Sequence, residues 1–387
     1  MTVRRFRPWR RAGSAQRSGS APRSRAATTT RDRAVPLVLV DGRMARRRPT
    51  GIATYIHELR HVMETTAVDD LRVEWVFGFP GLPRLGKLTS WGNLMLDLLW
   101  LHVALPLTAW RRRAALLHAP VNWGPWWSPC PTVVTIHDLS WERVPEAFPE
   151  NFRRYARMFA KHSVRTAVRV IAVSQSTADD IAELYRVPPE RIRVIPNGVD
   201  VDTRPPGERE PFILSVGVLE PRKRIAELVA GYAIYRESAP PSPPPCRLVV
   251  VGGPGDDAER VRAVAGPGCE IREFVRKEEL IDLYRRATLL AYPSAYEGFG
   301  LPVVEAMAYG CPVLCARNSS LIEVGGETAI FLDEVTPEGI ARSLAEALAD
   351  RDALRERGEQ GRRAAARYSW PAAATATRDL YRRVLLR

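Results

Sequence analysis

The chain has 387 residues, 45% of them hydrophobic and 26% charged, with a formal net charge of +13 at pH 7. This length predicts two domains, and the apolar fraction is that of a globular protein, which excludes wholesale disorder, collagen and coiled coil. The five cysteines are odd in number and scattered, which argues against a disulfide framework and favours a reducing compartment.

The excess positive charge lies in the first 34 residues. They hold ten arginines and one aspartate, a net charge of +9, and leave only +4 on the other 353 residues. Such a segment cannot bury enough apolar surface to fold, so we expect residues 1–34 to be a disordered basic tail. The tail suits weak attraction to anionic lipid or nucleic acid, and an unselected extension is the alternative. No apolar stretch follows Arg4 and Arg5, so we expect no secretory signal.

From residue 35 short apolar strands alternate with amphipathic helices. The sequence predicts strands at 35–40, 132–136, 168–173 and 192–195, and helices from about Gly51 and at 177–186. This alternation favours a parallel sheet covered by helices.

The longest apolar run, residues 94–110, is followed by three arginines. It contains Asp97 and Pro106 and falls short of the ~20 residues of a confident membrane span. We therefore expect a buried or interface-lying helix. The arginines, with Trp100 and Trp110, would also suit shallow membrane contact.

A second α/β series follows the polar, proline-containing segment 199–210. Predicted strands are 212–216, 247–251, 289–292 and 312–315, and predicted helices are 223–236, 302–309, 338–350, 352–367 and a last one after Ser369-Trp370. The proline-rich segment 239–245 is interpreted as a stiff surface loop. The fold class is therefore α/β, with two doubly wound Rossmann-like domains whose strand-end loops line a cleft.

One motif points to a different chemistry. His57-Glu58-Leu59-Arg60-His61 satisfies H-E-x-x-H, which on a helix would bind zinc as in a protease. The extended pattern fails, because Glu64 and Ala67 stand where a glycine and a third histidine belong. The same helix carries an ordinary apolar face, so we expect no metal site and two surface histidines.

The strongest signal is the glycine loop between the strand at 289–292 and the next helix. Backbone N–H groups of Gly298 to Gly300, with the helix N-terminus, suit a phosphate. Glu305, in the first helical turn, is placed to accept hydrogen bonds from a ribose diol, and Glu297 from hydroxyls of a second ring. The alternative is that Glu305 only complements the helix dipole and that Glu297 is solvated.

Three further signals follow strands. Gly217 precedes Arg222 and Lys223, two cations that would neutralise a diphosphate and stabilise charge on a leaving group. His137 ends a strand and would bond a sugar hydroxyl or transfer a proton, although a lone histidine is more often structural. Gly51 begins a helix, where backbone can approach a phosphate.

These motifs together resemble the retaining family-4 glycosyltransferases of the GT-B fold. The resemblance covers about residues 35–387. Its elements, in order, are DGR at 41–43, TGI-x-x-Y at 50–55, TIHDLS at 135–140, VIAVSQST at 170–177, VIPNGVD at 194–200, SVG-x-LEPRK at 215–223, YEGFGLPVVEAMAYGCPV at 296–313, NSSLIEVGG at 318–326 and the final YSW.

The resemblance implies a role for each matched residue. Arg222 and Lys223 would hold the donor diphosphate, Glu305 the ribose and Glu297 the transferred sugar. His137 would contact the donor sugar near the reacting carbon. The other implied donor-binding residues are Gly51, Gly217, Gly298, Phe299, Gly300 and Leu301. Arg224 stands where the family commonly has Asn, and Ile322 where it has Pro.

The resemblance also implies the domain plan and the chemistry. Residues 35–205 would bind the acceptor, 206–368 the donor, and 369–387 would form a helix packing back on the first domain. No metal and no cofactor would be needed, because cations and helix N-termini replace a divalent ion. Retention would proceed by front-face attack, with Glu297 favouring positive charge on the sugar.

The sequence thus predicts a cytoplasmic glycosyltransferase that extends a surface glycan or glycolipid, with possible peripheral contact to an anionic membrane. A GDP-mannose-type donor is favoured over UDP-sugars. The same-fold alternative is a nucleotide-sugar epimerase or hydrolase. The alternative from another class is a basic nucleic-acid-binding protein, against which the +4 charge of residues 35–387 argues; we expect no nucleic-acid partner.

Overall fold

The computed structural model describes residues 35–46, 50–66, 68–79, 81, 87–200, 207–238 and 245–386. The predicted tail 1–34 lies outside the described residues, and so do 201–206 and 239–244. The predicted domain boundary between residues 205 and 206 falls within the undescribed segment 201–206 and stays a prediction.

The first sheet has six parallel strands in the order β2-β1-β3-β4-β5-β6. The strands are β1 Leu37–Asp41, β2 Arg72–Val76, β3 Leu116–Ala119, β4 Thr132–Ile136, β5 Arg169–Ala172 and β6 Ile192–Val194. The helices are α1 Gly51–Thr65, α2 Lys87–Leu99, α3 Leu105–Arg111, α4 Ser140–Arg143, α5 Glu150–Thr166 and α6 Gln175–Tyr185. Every residue of β1 and β3 is buried, as expected for central strands with helices on both faces.

The second sheet repeats the plan, with six parallel strands in the order β12-β11-β10-β7-β8-β9. Its strands are β7 Glu210–Val216, β8 Arg247–Val251, β9 Cys269–Arg272, β10 Ala287–Tyr292, β11 Val313–Ala316 and β12 Ile330–Leu332. Its helices are α7 Ile225–Ser238, α8 Ala258–Val264, α9 Lys277–Arg286, α10 Leu301–Ala308, α11 Ser319–Gly325, α12 Pro337–Ala349 and α13 Arg351–Ala365. Two doubly wound sheets confirm the predicted fold class.

The last helix, α14 Trp370–Leu385, returns to the first sheet. Its buried Tyr381 packs in one apolar cluster with Tyr55 of α1, and the Tyr381 hydroxyl lies 2.6 Å from Nδ1 of His118 on β3. Gly198 permits this return, because a Cβ there would lie 2.2 Å from the backbone nitrogen of Trp370. The predicted helix that crosses back is therefore confirmed.

Residues 87–111 form one helical rod in which α2 and α3 are joined by a π-helical turn, Trp100–Ala104. Pro106 lacks the N–H that would bond the carbonyl of His102. The rod packs one face on the first sheet through buried Leu101 and Leu105. Within the described part of the chain, Gly92–Arg111 is the one helix long and apolar enough to cross a membrane by length and composition.

Candidate active site

The strand-end loops of the two sheets touch at Gly298. A Cβ at this position would lie 1.6 Å from the carbonyl oxygen of His137, the residue after β4. The hydroxyl of Thr177, on α6, donates to the carbonyl of Gly298 at 3.1 Å. Only a residue without a side chain fits here, so the glycine loop and His137 are held in direct contact across the cleft.

A compact cluster of two cations and a carboxylate lies beside this contact. Lys223 Nζ is 2.5 Å from Glu297 Oε1 and Arg222 Nη1 is 3.3 Å from it. The three side chains are only 9–12% exposed. The sequence predicted each residue as a ligand contact, and the structure brings all three together.

Tyr292, the last residue of β10, completes the cluster. Lys223 Nζ donates to its hydroxyl at 2.8 Å, and that hydroxyl donates to Glu297 Oε1 at 2.9 Å. Tyr292 was not predicted from the sequence, because a tyrosine that ends an apolar strand has the pattern of a core residue. The available signal was its place at the strand's carboxyl end, four residues before the glycine loop's first tyrosine, Tyr296.

The loop after β7 sets the two cations. Pro221–Lys223 form a single 3₁₀ turn, and Arg224 ends it in a left-handed backbone conformation with φ of 52°. A Cβ on Gly217 would lie 3.7 Å from Cδ of Lys223, so the glycine lies beside that side chain. A left-handed backbone conformation is more favourable for Asn than for Arg. Arg224, which stands where the family commonly has Asn, therefore carries a conformational cost.

The charges of this cluster are strongly coupled. Burial alone would raise the pKa of Glu297, but Lys223 and Arg222 outweigh it and hold the pKa at about 2. Burial lowers the pKa of Lys223, and Glu297 opposes that shift. Glu297 is therefore a carboxylate at any physiological pH, and it does not serve as a proton donor.

Two helix N-termini converge near the cluster. Thr50 caps α1 by accepting a hydrogen bond from the backbone of Ala53 at 3.2 Å, and α10 begins at Leu301. A Cβ on Gly51 would lie 3.5 Å from Cδ1 of Leu301. The predicted donor-binding residues Gly51 and Leu301 thus face one another across the cleft, where N–H groups of both helices favour an anion.

His137 is held by its neighbours rather than by ion pairs. Its backbone N–H donates to Asn122 Oδ1 at 2.7 Å, and its Nε2 lies 3.0 Å from the carbonyl of Pro120. The ring meets the ring of Tyr55 edge-on, with centroids 4.9 Å apart. Burial lowers the pKa of His137, so the ring is neutral, carries its proton on Nε2 towards Pro120, and leaves Nδ1 as an acceptor.

Glu305 lies in a separate small cavity between the sheets. Its Oε2 accepts a hydrogen bond from Tyr284 at 2.8 Å. Burial raises the pKa of Glu305 to about 7, partly offset by that hydrogen bond. The cavity has a volume of about 50 Å³, enough for a water or two and too small for a nucleoside.

Lys277, the first residue of α9, closes this cavity. Its Nζ is 2.9 Å from Oε1 of Glu58 on α1 and 3.0 Å from Oδ2 of Asp200. Lys277 was not predicted from the sequence, because no motif surrounds it. The strand before it, β9, was not predicted either, so no signal in the sequence placed Lys277 near the cleft.

Phe299 takes a different place from the one predicted, whereas the two histidines of the H-E-x-x-H motif lie at the surface as expected. The Phe299 side chain is buried against the ring of Tyr368, centroids 5.4 Å apart, so only its backbone faces the cleft. His57 and His61 are exposed, and Glu58 pairs with Lys277. Among the described residues no group of three or more His, Cys, Asp or Glu is placed to hold a metal ion.

Comparison with known families divides the chain at nearly the place where its two sheets divide. The family described as Glycosyltransferase Family 4 matches residues 49–203, and Glycosyl transferases group 1 matches residues 201–364.

Among curated proteins, the O-antigen chain mannosyltransferase B of Escherichia coli is 30% identical over 269 residues, covering 65% of this chain and 70% of the relative. The D-inositol 3-phosphate glycosyltransferase of Gordonia bronchialis is 30% identical over 245 residues, covering 57% of this chain. The chain spans 54% of that second relative, just over half of its length.

The fold is also that of solved structures. Sucrose-phosphate synthase from Thermosynechococcus elongatus matches with a TM-score of 0.71 and 20% identity, over 91% of this chain and 99% of that one. The Anabaena protein HepE, solved in complex with UDP and glucose, matches with a TM-score of 0.65 and 18% identity, over 89% and 99%. At such identities the likeness shows the fold alone. With the family matches and the Escherichia coli relative, it establishes that the chain belongs to the family-4, group 1 glycosyltransferases of the GT-B fold, with a mannosyltransferase-like sequence.

Proposed function

We propose that this glycosyltransferase moves a sugar, with retention of configuration, from a nucleotide-diphosphate sugar to a hydroxyl of a glycan or glycolipid acceptor in surface polysaccharide biosynthesis. The observation that carries the proposal is the cluster of Arg222, Lys223 and Glu297 beside His137. The cluster offers two buried cations to the diphosphate and one carboxylate to the sugar that the diphosphate carries. A cytoplasmic location belongs to the same proposal.

In this proposal the two cations stabilise the leaving group. Arg222 and Lys223 are anchored within hydrogen-bond reach of Glu297 and the Tyr296 carbonyl before any ligand binds. Preorganised cations in a water-poor site cost no reorganisation when charge develops on the departing diphosphate. The N-termini of α1 and α10 add partial positive charge from either side, so the transfer is proposed to need no metal ion and no cofactor.

The carboxylate and the histidine act on the sugar. Glu297, ionised because its pKa is about 2, favours positive charge on the sugar ring in the transition state. The neutral His137 offers Nδ1 to a sugar hydroxyl. The acceptor hydroxyl attacks from the face that the diphosphate leaves, and its proton goes to the departing phosphate oxygen, so no protein base is required.

The ribose of the donor would occupy the cavity of Glu305. Its carboxylate would accept from both ribose hydroxyls once Lys277 releases Glu58 and the cavity opens. A GDP-mannose-type donor is proposed ahead of UDP-sugars, because the mannosyltransferase names among the curated relatives support it.

A donor panel tests the proposal. Thermal unfolding is measured with GDP, UDP and their mannose and glucose conjugates, since a bound ligand raises the unfolding temperature by mass action. Turnover with the stabilising donor and a lipid-linked glycan, with and without EDTA, then gives the product anomer by NMR. An inverted anomer, a chelator-sensitive rate, or an epimerised or free sugar as the sole product would contradict the mechanism.

A further inference from the structure

The rod formed by α2 and α3 leaves an apolar stripe uncovered. Its members are large hydrophobic side chains spaced four or three residues apart and exposed by 37–64%: Met95, Leu99, Val103, Leu107 and Trp110. The spacing places them along one side of a helix. The stripe is thus a continuous apolar face about four helical turns long, and no described part of the chain covers it.

Two exposed tryptophans lie beside this stripe. Trp126 and Trp127 are 50% and 49% exposed. Because Pro106 cannot bond the carbonyl of His102, that carbonyl instead accepts from Trp127 Nε1 at 3.1 Å, and the backbone N–H of Trp126 donates to His102 Nδ1 at 3.3 Å. The sequence therefore fixes both indoles next to the rod.

Positive charge flanks the apolar face. The rod ends at exposed Arg111, followed by exposed Arg112 and Arg113. Arg112 pairs with Glu74, whereas Arg111 and Arg113 have no ion-pair partner among the residues the structure describes. Trp126 stacks on His162 of α5, centroids 5.3 Å apart, and α5 carries five lysines and arginines against one glutamate.

The opposite face of the rod is tied into the protein. Trp100 Nε1 donates to Asp41 Oδ1, at the cleft end of β1, at 3.0 Å. Leu101, Leu105 and Ala109 pack on the buried strands β1 and β3. Inserting the rod across a bilayer would expose this core and break the Asp41 bond, so the rod contacts a membrane only along the stripe.

We propose that the stripe, Trp126, Trp127 and the flanking arginines dock the protein on the surface of an anionic lipid bilayer. Apolar side chains and indoles enter the headgroup boundary, and the arginines meet lipid phosphates. This inference rests on the proposed function and narrows it, because the acceptor is then lipid-anchored. The hydrogen bond between Trp100 and Asp41 holds the docked rod next to the cleft that receives this acceptor.

Vesicle flotation of the full chain, without any donor, tests the docking. Vesicles of phosphatidylcholine alone are compared with vesicles containing one part in three of phosphatidylglycerol. The stripe variant is Leu99→Gln with Val103→Gln, and its control is Ile234→Gln with Val264→Gln, which are exposed apolar residues of the second sheet's helices. The charge variant is Arg111→Glu with Arg113→Glu, and its control is Arg342→Glu with Arg355→Glu.

We expect wild type and both controls to float with anionic vesicles and stay behind with neutral ones. Each test variant should lose binding at least tenfold, while its unfolding temperature and the shift produced by nucleotide stay those of wild type. Binding unchanged in both test variants would overturn the proposal and assign any adhesion to residues 1–34. Equal binding to neutral vesicles would also overturn the proposal. Bound protein that resists both salt and alkaline extraction would overturn it in favour of a membrane span. Loss of a dimer in the stripe variant would overturn it in favour of a second copy of the chain on the stripe. Because nucleotide binding is read separately, failure of the docking is distinguishable from failure of the proposed function.

Discussion

The two sheets hold their site residues by different means. On the second sheet Arg222, Lys223 and Glu297 hold one another through buried ion pairs. On the first sheet His137 is held by an asparagine amide, a backbone carbonyl and the edge of a tyrosine ring. The second sheet's residues, the proposed donor side, are thus organised by charge, and those of the first sheet, the proposed acceptor side, by neutral contacts. This difference fits the proposed diphosphate on one side and an uncharged hydroxyl on the other.

The sharpest way to break this comparison is to remove one cation. Lys223→Met keeps the aliphatic part against Gly217 but deletes the charge. We expect turnover to fall about 10²–10³-fold, the usual effect of losing one preorganised donor to a developing anion, and donor binding to weaken. Steady-state kinetics measures both. Arg342→Met, an exposed residue of α12, is the control, and equal activity in the two variants would contradict the assignment.

Two tyrosine hydroxyls separate catalysis from donor binding. Tyr292→Phe removes the bridge between Lys223 and Glu297, and Tyr284→Phe removes the donor to Glu305. Each hydrogen bond to a charged group is worth ~1.5–3 kcal/mol. We expect Tyr292→Phe to lower kcat at least tenfold with little change in KM, and Tyr284→Phe to change KM chiefly. If Tyr292→Phe changed chiefly KM and Tyr284→Phe chiefly kcat, Glu297 would be assigned to donor binding and Glu305 to catalysis.

The pH dependence of donor binding tests Glu305. Its pKa is raised to about 7 in the folded protein from an ordinary value of 4.5, so between these values it holds a proton that the unfolded chain has released. Ribose hydroxyls favour the carboxylate, so nucleotide binding expels that proton. The Kd of the nucleotide should rise about tenfold per pH unit below 7. Calorimetry in buffers of different ionisation enthalpy should detect the proton, and Glu305→Gln should abolish both effects.

The Lys277 bridge predicts a smaller change. Lys277→Ala removes two contacts of an exposed ion pair, worth ~0.2–1 kcal/mol, that keep the Glu305 cavity shut. We expect the donor KM to fall by about two- to fivefold. The matched control is Arg382→Ala, which breaks the similarly exposed pair with Asp70 away from the cleft. A rise in KM would mean that Lys277 binds the donor directly.

How far the sequence predicts this molecule depends on which interactions are local. The start of α1 at Gly51 and both ends of β8 were predicted correctly. The strands β2, β3, β9 and β12 were missed. Four of the five residues of β2 are exposed or only half-buried, β3 carries the buried His118, and β12 has three residues. Their strand character comes from neighbours far along the chain.

The candidate site shows the same limit. The cation pair and the glycine loop stand in short motifs at strand ends, where spacing indicates chemistry. Tyr292 and Lys277 act through partners 69 and 219 residues away, and no local pattern encodes such contacts. The close approach of Gly51 to Leu301 across the cleft was likewise visible only in the folded chain.

The smallest expected effect concerns the basic tail. Residues 1–34 carry +9 of the net +13, and the cluster of Arg222, Lys223 and Glu297 lies in the other 353 residues. Deleting the tail should leave kcat and KM with a water-soluble acceptor unchanged within error. Surface charges beyond a Debye length, about 10 Å at 0.1 M salt, are largely screened from a site. The same deletion assayed at 10 mM salt is the more sensitive measurement, because the Debye length is then about 30 Å and charges act over a longer distance. A loss of activity that persists at high salt would show that the tail enters the cleft. The proposed acceptor side would then also be organised by charge, through the arginines of the tail.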